Sequence, residues 1–410
     1  MELFKVESEQ LFDELIGQIS GVFANDAGRQ TARKYLRSLL NSSIERKNGW
    51  QIAENMGAKT PYSLQQFLSR GRFSADALRD VLRTYVVEKI GLSDGVLVVS
   101  ETSFLKQGKK SCGVARQYDV YTGKMANCQV GIFLTYTSNK GRAPIDRQLY
   151  IPKEWCNDEQ RRFVTAIPDE LIFQTKAQIA LNMLKMATNA TVATKTGQVP
   201  YKWVTGDCTC GDNQSLREWL EAQGKGYVFC VSDAECILQG SKQVYVGDFI
   251  RNLPVEGWFE AAFGVDIENV RMYDWLCVEL SQSKSGEFVY SILVRRNKED
   301  IDDLQAYLCY SPIGVSAEEL VQIAGVYLTV TKRFIKFKTL LGFDQYEGRS
   351  YEGWHKHITF ACLAFALLAL ELVYASFMNT KPEQVCGSRS HSLDAFKRKR
   401  GLRLKYHVDV

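Results

Sequence analysis

Val96-Leu97-Val98-Val99-Ser100-Glu101-Thr102-Ser103 is where the chain changes character. The four residues from Val96 form a short unbroken apolar run, as a strand buried on both faces requires. Upstream, residues 1–90 read as a helical domain: Leu11, Leu15, Ile16 and Ile19 recur at helical spacing, as do Ala32, Tyr35, Leu36 and Leu39. Ser74 stands as an N-cap before a helix beginning at Ala75. The stretch from Gln51 to Gly57, followed by Ser63-Leu64-Gln65-Gln66-Phe67-Leu68, has the form of two short helices about a turn. That is the layout of a helix-turn-helix, although small helical domains of other kinds also produce it.

Downstream, Ser111 to Tyr118 and Cys128 to Tyr136 are β-type, joined through Tyr121-Thr122-Gly123-Lys124. With the first strand they predict a three-strand meander. Gln148-Leu149-Tyr150-Ile151-Pro152 is a further extended piece. A helix from Lys176 to Asn189 carries Ile179, Ala180, Met183, Leu184 and Met186 on its apolar side. The strand Tyr201 to Thr205 ends at Gly206-Asp207, a helix with Leu216, Trp219 and Leu220 follows, and Tyr227 to Val231 is the next strand. This mixed α/β order is that of an RNase H-like core, a mixed sheet flanked by helices with functional groups at strand ends. The expected organisation is a helical N-terminal, DNA-binding candidate over 1–90, the first part of the core over 91–232, a β-rich insertion over 233–315, core helices over 316–378, and a basic tail over 379–410.

Bulk composition names no function. Against 47 acidic residues stand 51 basic ones, a net charge of +4, so any nucleic-acid surface must come from local clustering. Lys397, Arg398, Lys399, Arg400, Arg403 and Lys405 form one such cluster, readable as a phosphate-contacting arm or as a solvated tail. Eleven cysteines show no repeated spacing, and no signal peptide opens the chain. Free thiols in a reducing cytoplasm are expected, with nucleoid association if DNA is bound. Cys208 and Cys210 lack the second Cys or His pair that a zinc site needs. The apolar run from Ile358 to Phe377 could span a bilayer, but Glu371 within it and its many alanines favour a buried core helix, and no membrane association is expected.

A family resemblance covers residues from about 30 to 378, and its ordered matches make it specific. The run Lys106-Gln107-Gly108-Lys109-Lys110-Ser111-Cys112-Gly113-Val114-Ala115-Arg116-Gln117-Tyr118 resembles the segment after the first catalytic strand in DDE-type transposases of the insertion sequence 701 family, related to the insertion sequence 4 group. Asn127-Cys128-Gln129-Val130-Gly131, Leu149-Tyr150-Ile151-Pro152 and Phe173-Gln174-Thr175-Lys176 continue it. So do Glu45-Arg46-Lys47-Asn48, Gln65-Gln66-Phe67-Leu68, Gly342-Phe343-Asp344-Gln345-Tyr346-Glu347 and Trp354-His355-Lys356-His357-Ile358-Thr359. The resemblance implies cut-and-paste DNA transposition, in which an Asp-Asp-Glu set binds two divalent cations, Mg2+ or Mn2+. Two such ions about 4 Å apart activate the attacking hydroxyl and stabilise the leaving oxygen in an in-line displacement at phosphorus.

Carried over position by position, that set is degraded. Where the resemblance puts the first Asp, this chain has Ser100; Glu101 is adjacent, but strand side chains alternate faces, so only a bulge would turn it to the same side. The second Asp is Asp207, after Trp203-Val204-Thr205-Gly206, and it also reads as a cap for the helix that follows. Counting back from Lys338, the helix position of Glu is Thr331, with Tyr327 and Ala324 at the Arg and Tyr places of the pattern. No acid stands between Glu319 and Asp344 to substitute on that helix. His355 and His357 read as packing and hydrogen-bonding groups rather than metal ligands.

The expectation is a transposase-derived DNA-binding protein that has lost strand cleavage and needs no cofactor: a regulator, a domesticated factor or an accessory subunit. DNA contacts are expected from Lys338, Lys397, Arg398, Lys399 and Arg400, and self-association follows from the resemblance. Two alternatives stand beside it. One is an active transposase with Mg2+ or Mn2+ on non-standard ligands such as Glu101 and Asp344. The other is a repurposed pocket using Ser100, Asp207, Cys208, Cys210 and Lys338 for chemistry of another class.

Overall fold

The computed structural model describes residues 2–120, 122–189, 197–239, 242–264 and 271–379. The chain divides into two compact units, one formed by Met1–Tyr201 with Val330–Val373 and the other built on Lys202–Thr329.

In the first unit, five helices precede the sheet: α1 (Glu2–Ile19), α2 (Asp26–Leu40), α3 (Gly49–Asn55), α4 (Tyr62–Arg70) and α5 (Ala75–Ile90). Their starts are specified locally. Asn25 accepts from the N–H of Gly28, Asn48 from that of Gln51, and Ser74 from those of Asp76 and Ala77. Each such cap satisfies an otherwise orphaned donor and contributes about 1 kcal/mol. The expected apolar stripes are inside, with Leu15, Leu36 and Leu39 fully buried.

The sheet of this unit has four strands: β1 (Val96–Leu105), β2 (Ala115–Asp119), β3 (Lys124–Ser138) and β4 (Gly141–Tyr150). The expected three-strand meander is corrected on two counts. Residues 111–114 turn before β2 begins, with Gly113 at φ +72, and β1 pairs with β3 rather than with β2. The reason is length. At 15 residues β3 serves β1 along one edge, and on the other edge β2 over its beginning and β4 over the rest. Gly131 in β3 is required by this packing, since a Cβ there would lie 2.9 Å from the Phe104 and Phe133 rings and 3.1 Å from Trp354.

Short helices α6 (Lys153–Cys156) and α7 (Glu159–Thr165) lead to α8 (Lys176–Thr188), which opens with a reciprocal capping box between Thr175 and Gln178. A buried ion pair ties α5 to β4, Arg83 meeting Asp146 at 2.7 Å, and Arg147 beside it donates to Thr359 at 2.7 Å.

The second unit begins with β5 (Trp203–Gly206), α9 (Cys208–Gly211), α10 (Gln214–Ala222) and β6 (Gly226–Val231), with β5 and β6 parallel. There follow the hairpin β7 (Cys236–Gln239) and β8 (Lys242–Tyr245), α11 (Val246–Arg251), β9 (Phe259–Ala262), β10 (Met272–Gln282), β11 (Phe288–Arg296) and β12 (Leu304–Pro312). The β-rich segment 233–315 does not stand off from the strands before it. β12 pairs antiparallel with the free edge of β6, and β11, β10 and β9 continue outward in that order. Both parallel and antiparallel pairs are therefore present, as the RNase H-like α/β class requires.

Helix α12 (Ala317–Leu340) contributes its residues from Val330 to the first unit. The last helix is α13 (Tyr351–Asn379). Its segment Tyr351–Glu371 is long and apolar enough to cross a membrane, but 94% of its most apolar window is buried inside the protein. It is a core helix, as expected from the sequence.

Candidate functional site

Ser100 and Glu101 lie in the middle of β1, and the ladder to β3 decides which way each faces. Partners run without interruption from Val96 opposite Thr137 to Leu105 opposite Cys128, so Ser100 opposes Phe133 and Glu101 opposes Ile132. With no residue bulged out of this ladder, successive side chains turn to opposite faces, and Glu101 points away from the side that Ser100 serves. Glu101 is 8% exposed, and its carboxylate meets Lys176 Nζ, in the first turn of α8, at 2.6 Å. The residue next to Ser100 is thus held in an ion pair whose carboxylate is buried. Lys176 belongs to a segment that carries the family resemblance, which was the one sequence signal pointing to it.

On the Ser100 side, Phe133 packs against Phe334 of α12 with ring centres 4.7 Å apart. Thr331 precedes Phe334 by three residues, one helical turn away on a neighbouring line of the helix. The first unit therefore brings the Ser100 and Thr331 positions toward one face of its sheet. Lys338, one turn beyond Phe334, donates to the carbonyl of Ser103, and its Nζ lies 5.3 Å from the centre of the Phe104 ring. Burial lowers the proton affinity of Lys338, while the nearby Asp344 charge acts in the opposite sense. Lys338, expected as a DNA contact, is half-buried and donates one of its protons to a main-chain carbonyl of the fold.

Asp207 follows β5 and caps α9, its carboxylate accepting from the Thr209 N–H at 3.0 Å. The Cys208–Cys210 pair is divided by this turn. Cys210 is fully buried, while Cys208 Sγ lies 2.9 Å from Cys230 Sγ on β6, a partner that no sequence signal indicates. Among the described residues no group of three or more His, Cys, Asp or Glu side chains is gathered as a metal site.

Several segments that carry the family resemblance meet in the first unit. The Lys47 N–H donates to Gln345, Lys106 Nζ donates to the Tyr346 carbonyl at 2.7 Å, and the Cys112 N–H donates to the Arg349 carbonyl at 2.9 Å. Gly342, at φ +74, sits where a Cβ would come within 2.6 Å of the Lys47 side chain. His357 is hydrogen-bonded at both nitrogens, to the Tyr35 hydroxyl at 2.7 Å and the Gly342 carbonyl at 2.9 Å. The carbonyl requires a proton on Nε2, leaving Nδ1 to accept from tyrosine. His355 is similarly filled by the Tyr351 carbonyl and the Leu149 N–H. Burial pushes His355 down to about 3, with the Arg147 charge adding to it, and pushes His357 down to about 4. These are neutral structural rings, as the sequence reading has them.

In the N-terminal helices, α3 and α4 form as expected around a six-residue connection from Met56 to Pro61. Leu64 and Leu68 anchor α4, which exposes Tyr62, Ser63, Gln65, Gln66 and Arg70. The basic cluster Lys397, Arg398, Lys399, Arg400, Arg403 and Lys405 lies outside the described residues.

The sequence pattern of the DDE superfamily endonucleases matches residues 18–236, more than half of the chain. The chain belongs to the DDE endonuclease superfamily. The match spans Ser100, Glu101 and Asp207 and ends before α12. No curated protein matches the chain. Among solved structures, the NurA nuclease from Sulfolobus solfataricus is similar at 12% identity over 81% of this chain and 96% of that one, with a TM-score of 0.25, a likeness too slight to carry an argument.

Nucleases of the DDE superfamily generally use divalent metal ions. Such hard cations take oxygen ligands, and charged carboxylates above neutral hydroxyls. Of the three positions that the sequence resemblance implies, Ser100, Asp207 and Thr331, Asp207 alone is a carboxylate, and Glu101 is held by Lys176. These residues do not fit a two-cation set.

Proposed function

We propose that the chain is a transposase-derived protein, of the insertion sequence 701 type, that binds DNA without cutting it. The observation that carries this reading is the uninterrupted β1–β3 ladder. It turns Glu101 away from the Ser100 face and into its ion pair with Lys176, so the adjacent acid does not replace the missing one. Thr331 on α12 offers a neutral hydroxyl where a third carboxylate is wanted, and Asp207 is engaged as a helix cap. One carboxylate among the three positions leaves two divalent cations without the charge that would hold them.

Retention of DNA binding is supported by the superfamily and by the polar exposed row of α4. Gln65 and Gln66 can pair with base edges, while Arg70, with exposed Arg46, Lys59 and Arg72 elsewhere in the helical segment, can meet phosphates. The role is that of a regulator, a domesticated factor or an accessory subunit, acting as an oligomer across DNA ends. The test is incubation with supercoiled plasmid in Mg2+ or Mn2+, alongside binding measured in chelator. The expected result is salt-sensitive binding that needs no metal, with no nicking above the level of Asp207→Ala. Metal-dependent nicking that Asp207→Ala abolishes would overturn the proposal.

A further inference from the structure

Cys208 and Cys230 are separated by 21 intervening residues, yet their sulfurs lie 2.9 Å apart, less than an ångström beyond the ~2.05 Å of a disulfide bond. The approach is built into the second unit. Gly211, the last residue of α9, lies so close to β6 that a Cβ there would come within 1.9 Å of the Cys230 carbonyl oxygen. Only a residue without a side chain allows α9 to sit down on the strand at this point. The turn is held there from both directions: Arg217 donates to the Gly211 carbonyl, and Asp212 accepts from the Ser232 N–H at 2.9 Å. Both residues are half-buried, unlike the fully buried Cys309 and Cys362.

We propose that Cys208 and Cys230 are a redox pair that closes to a disulfide on meeting a small-molecule disulfide, pinning the turn that carries Asp207 to β6. The two thiols have unequal tasks. The hydrogen bond from Cys230 holds the Cys208 thiol below its ordinary value although burial opposes this, while the same bond and burial push Cys230 up. Cys208 is therefore the first nucleophile. Its thiolate attacks one sulfur of the small disulfide and expels one thiolate, which takes up the proton that Cys208 has lost. Cys230 then releases its proton to solvent and attacks the Cys208 sulfur, expelling the second thiolate, which is protonated in turn. The protein loses two electrons and two hydrogens, and the small disulfide is reduced to two thiols.

The experiment uses the full reduced chain equilibrated with glutathione disulfide, followed by alkylation and peptide mapping. The expected product is a Cys208–Cys230 cross-linked peptide with the mass of two hydrogens lost, Cys309 staying free. Oxidation should also raise the melting temperature of the wild type but not that of Cys230→Ser. In Cys230→Ser the reaction should stop at a glutathione adduct on Cys208. Two results would overturn the proposal: a persistent glutathione adduct on Cys208 in the wild type, or alkylation of both thiols as complete after oxidation as before. The wild-type mapping decides the matter even if the variant fails to fold.

Discussion

Ser100 and Glu101 differ by one position, and in a strand one position decides which face a side chain serves. That much was legible in the sequence, because the period of a strand is fixed and Val96-Leu97-Val98-Val99 marks one plainly. What was not legible is where Glu101 goes instead, since Lys176 reaches it from the start of a distant helix and pairing of that kind leaves no local trace. The histidines show the same limit. Their burial could be anticipated from the apolar run beside them, but the Tyr35 and Gly342 partners that fix the His357 tautomer could not. This burial has a measurable consequence. Both rings have folded values depressed from 6.5, so the unfolded chain binds more protons as soon as pH falls below that value. The stability contributed by the neutral rings is complete above pH 6.5 and is lost progressively down toward 4 for His357 and 3 for His355. At pH 5 the loss is about 2 kcal/mol for each ring. Urea unfolding followed between pH 7 and pH 5 should show the midpoint falling, and His357→Gln should show a shallower fall. A flat profile over that interval would mean that these rings are not buried in neutral form.

Among the elements, those with local signals were readable and those defined by their partners were not. Ser74 announces α5, Thr175 with Gln178 announces α8, and the two short helices α3 and α4 appear where their apolar residues place them. Residues 233–315 were legible as β-rich, but nothing local says that β12 closes onto β6, because an open sheet edge is a property of the partner. The pairing of β1 with β3 was missed for the same reason. For α4 the exposed face makes a direct prediction. Gln65 and Gln66 are exposed and bear no packing load, so replacing both with alanine should leave thermal stability unchanged. If α4 reads base edges, the double variant should lose roughly 10-fold or more in affinity for its preferred site and little for random DNA. Arg70→Ala, by contrast, should weaken binding to all sequences alike and reduce the salt slope by about one. Equal losses on preferred and random DNA for the glutamine variant would remove α4 from the reading role.

At the scale of the molecule, superfamily membership and mixed α/β architecture agree, while charge is the quantity that decides how such a chain holds DNA. A net charge of +4 over 410 residues gives little general attraction for a polyanion. Six basic residues, Lys397, Arg398, Lys399, Arg400, Arg403 and Lys405, fall within nine positions, so a large share of any phosphate binding should depend on them. Replacing all six with glutamine takes the formal net charge from +4 to −2. Each phosphate contact contributes about 0.9 to the slope of log affinity against log salt, so a tail that uses all six would account for a slope of about 5. The six-glutamine variant should therefore bind random DNA at least 10-fold more weakly at low salt and lose most of that slope. Titration of labelled duplex at several salt concentrations reads both quantities. If affinity and slope are unchanged in the variant, the phosphate contacts lie on the body of the protein, and the exposed arginines and lysines around α4 become the residues to substitute next.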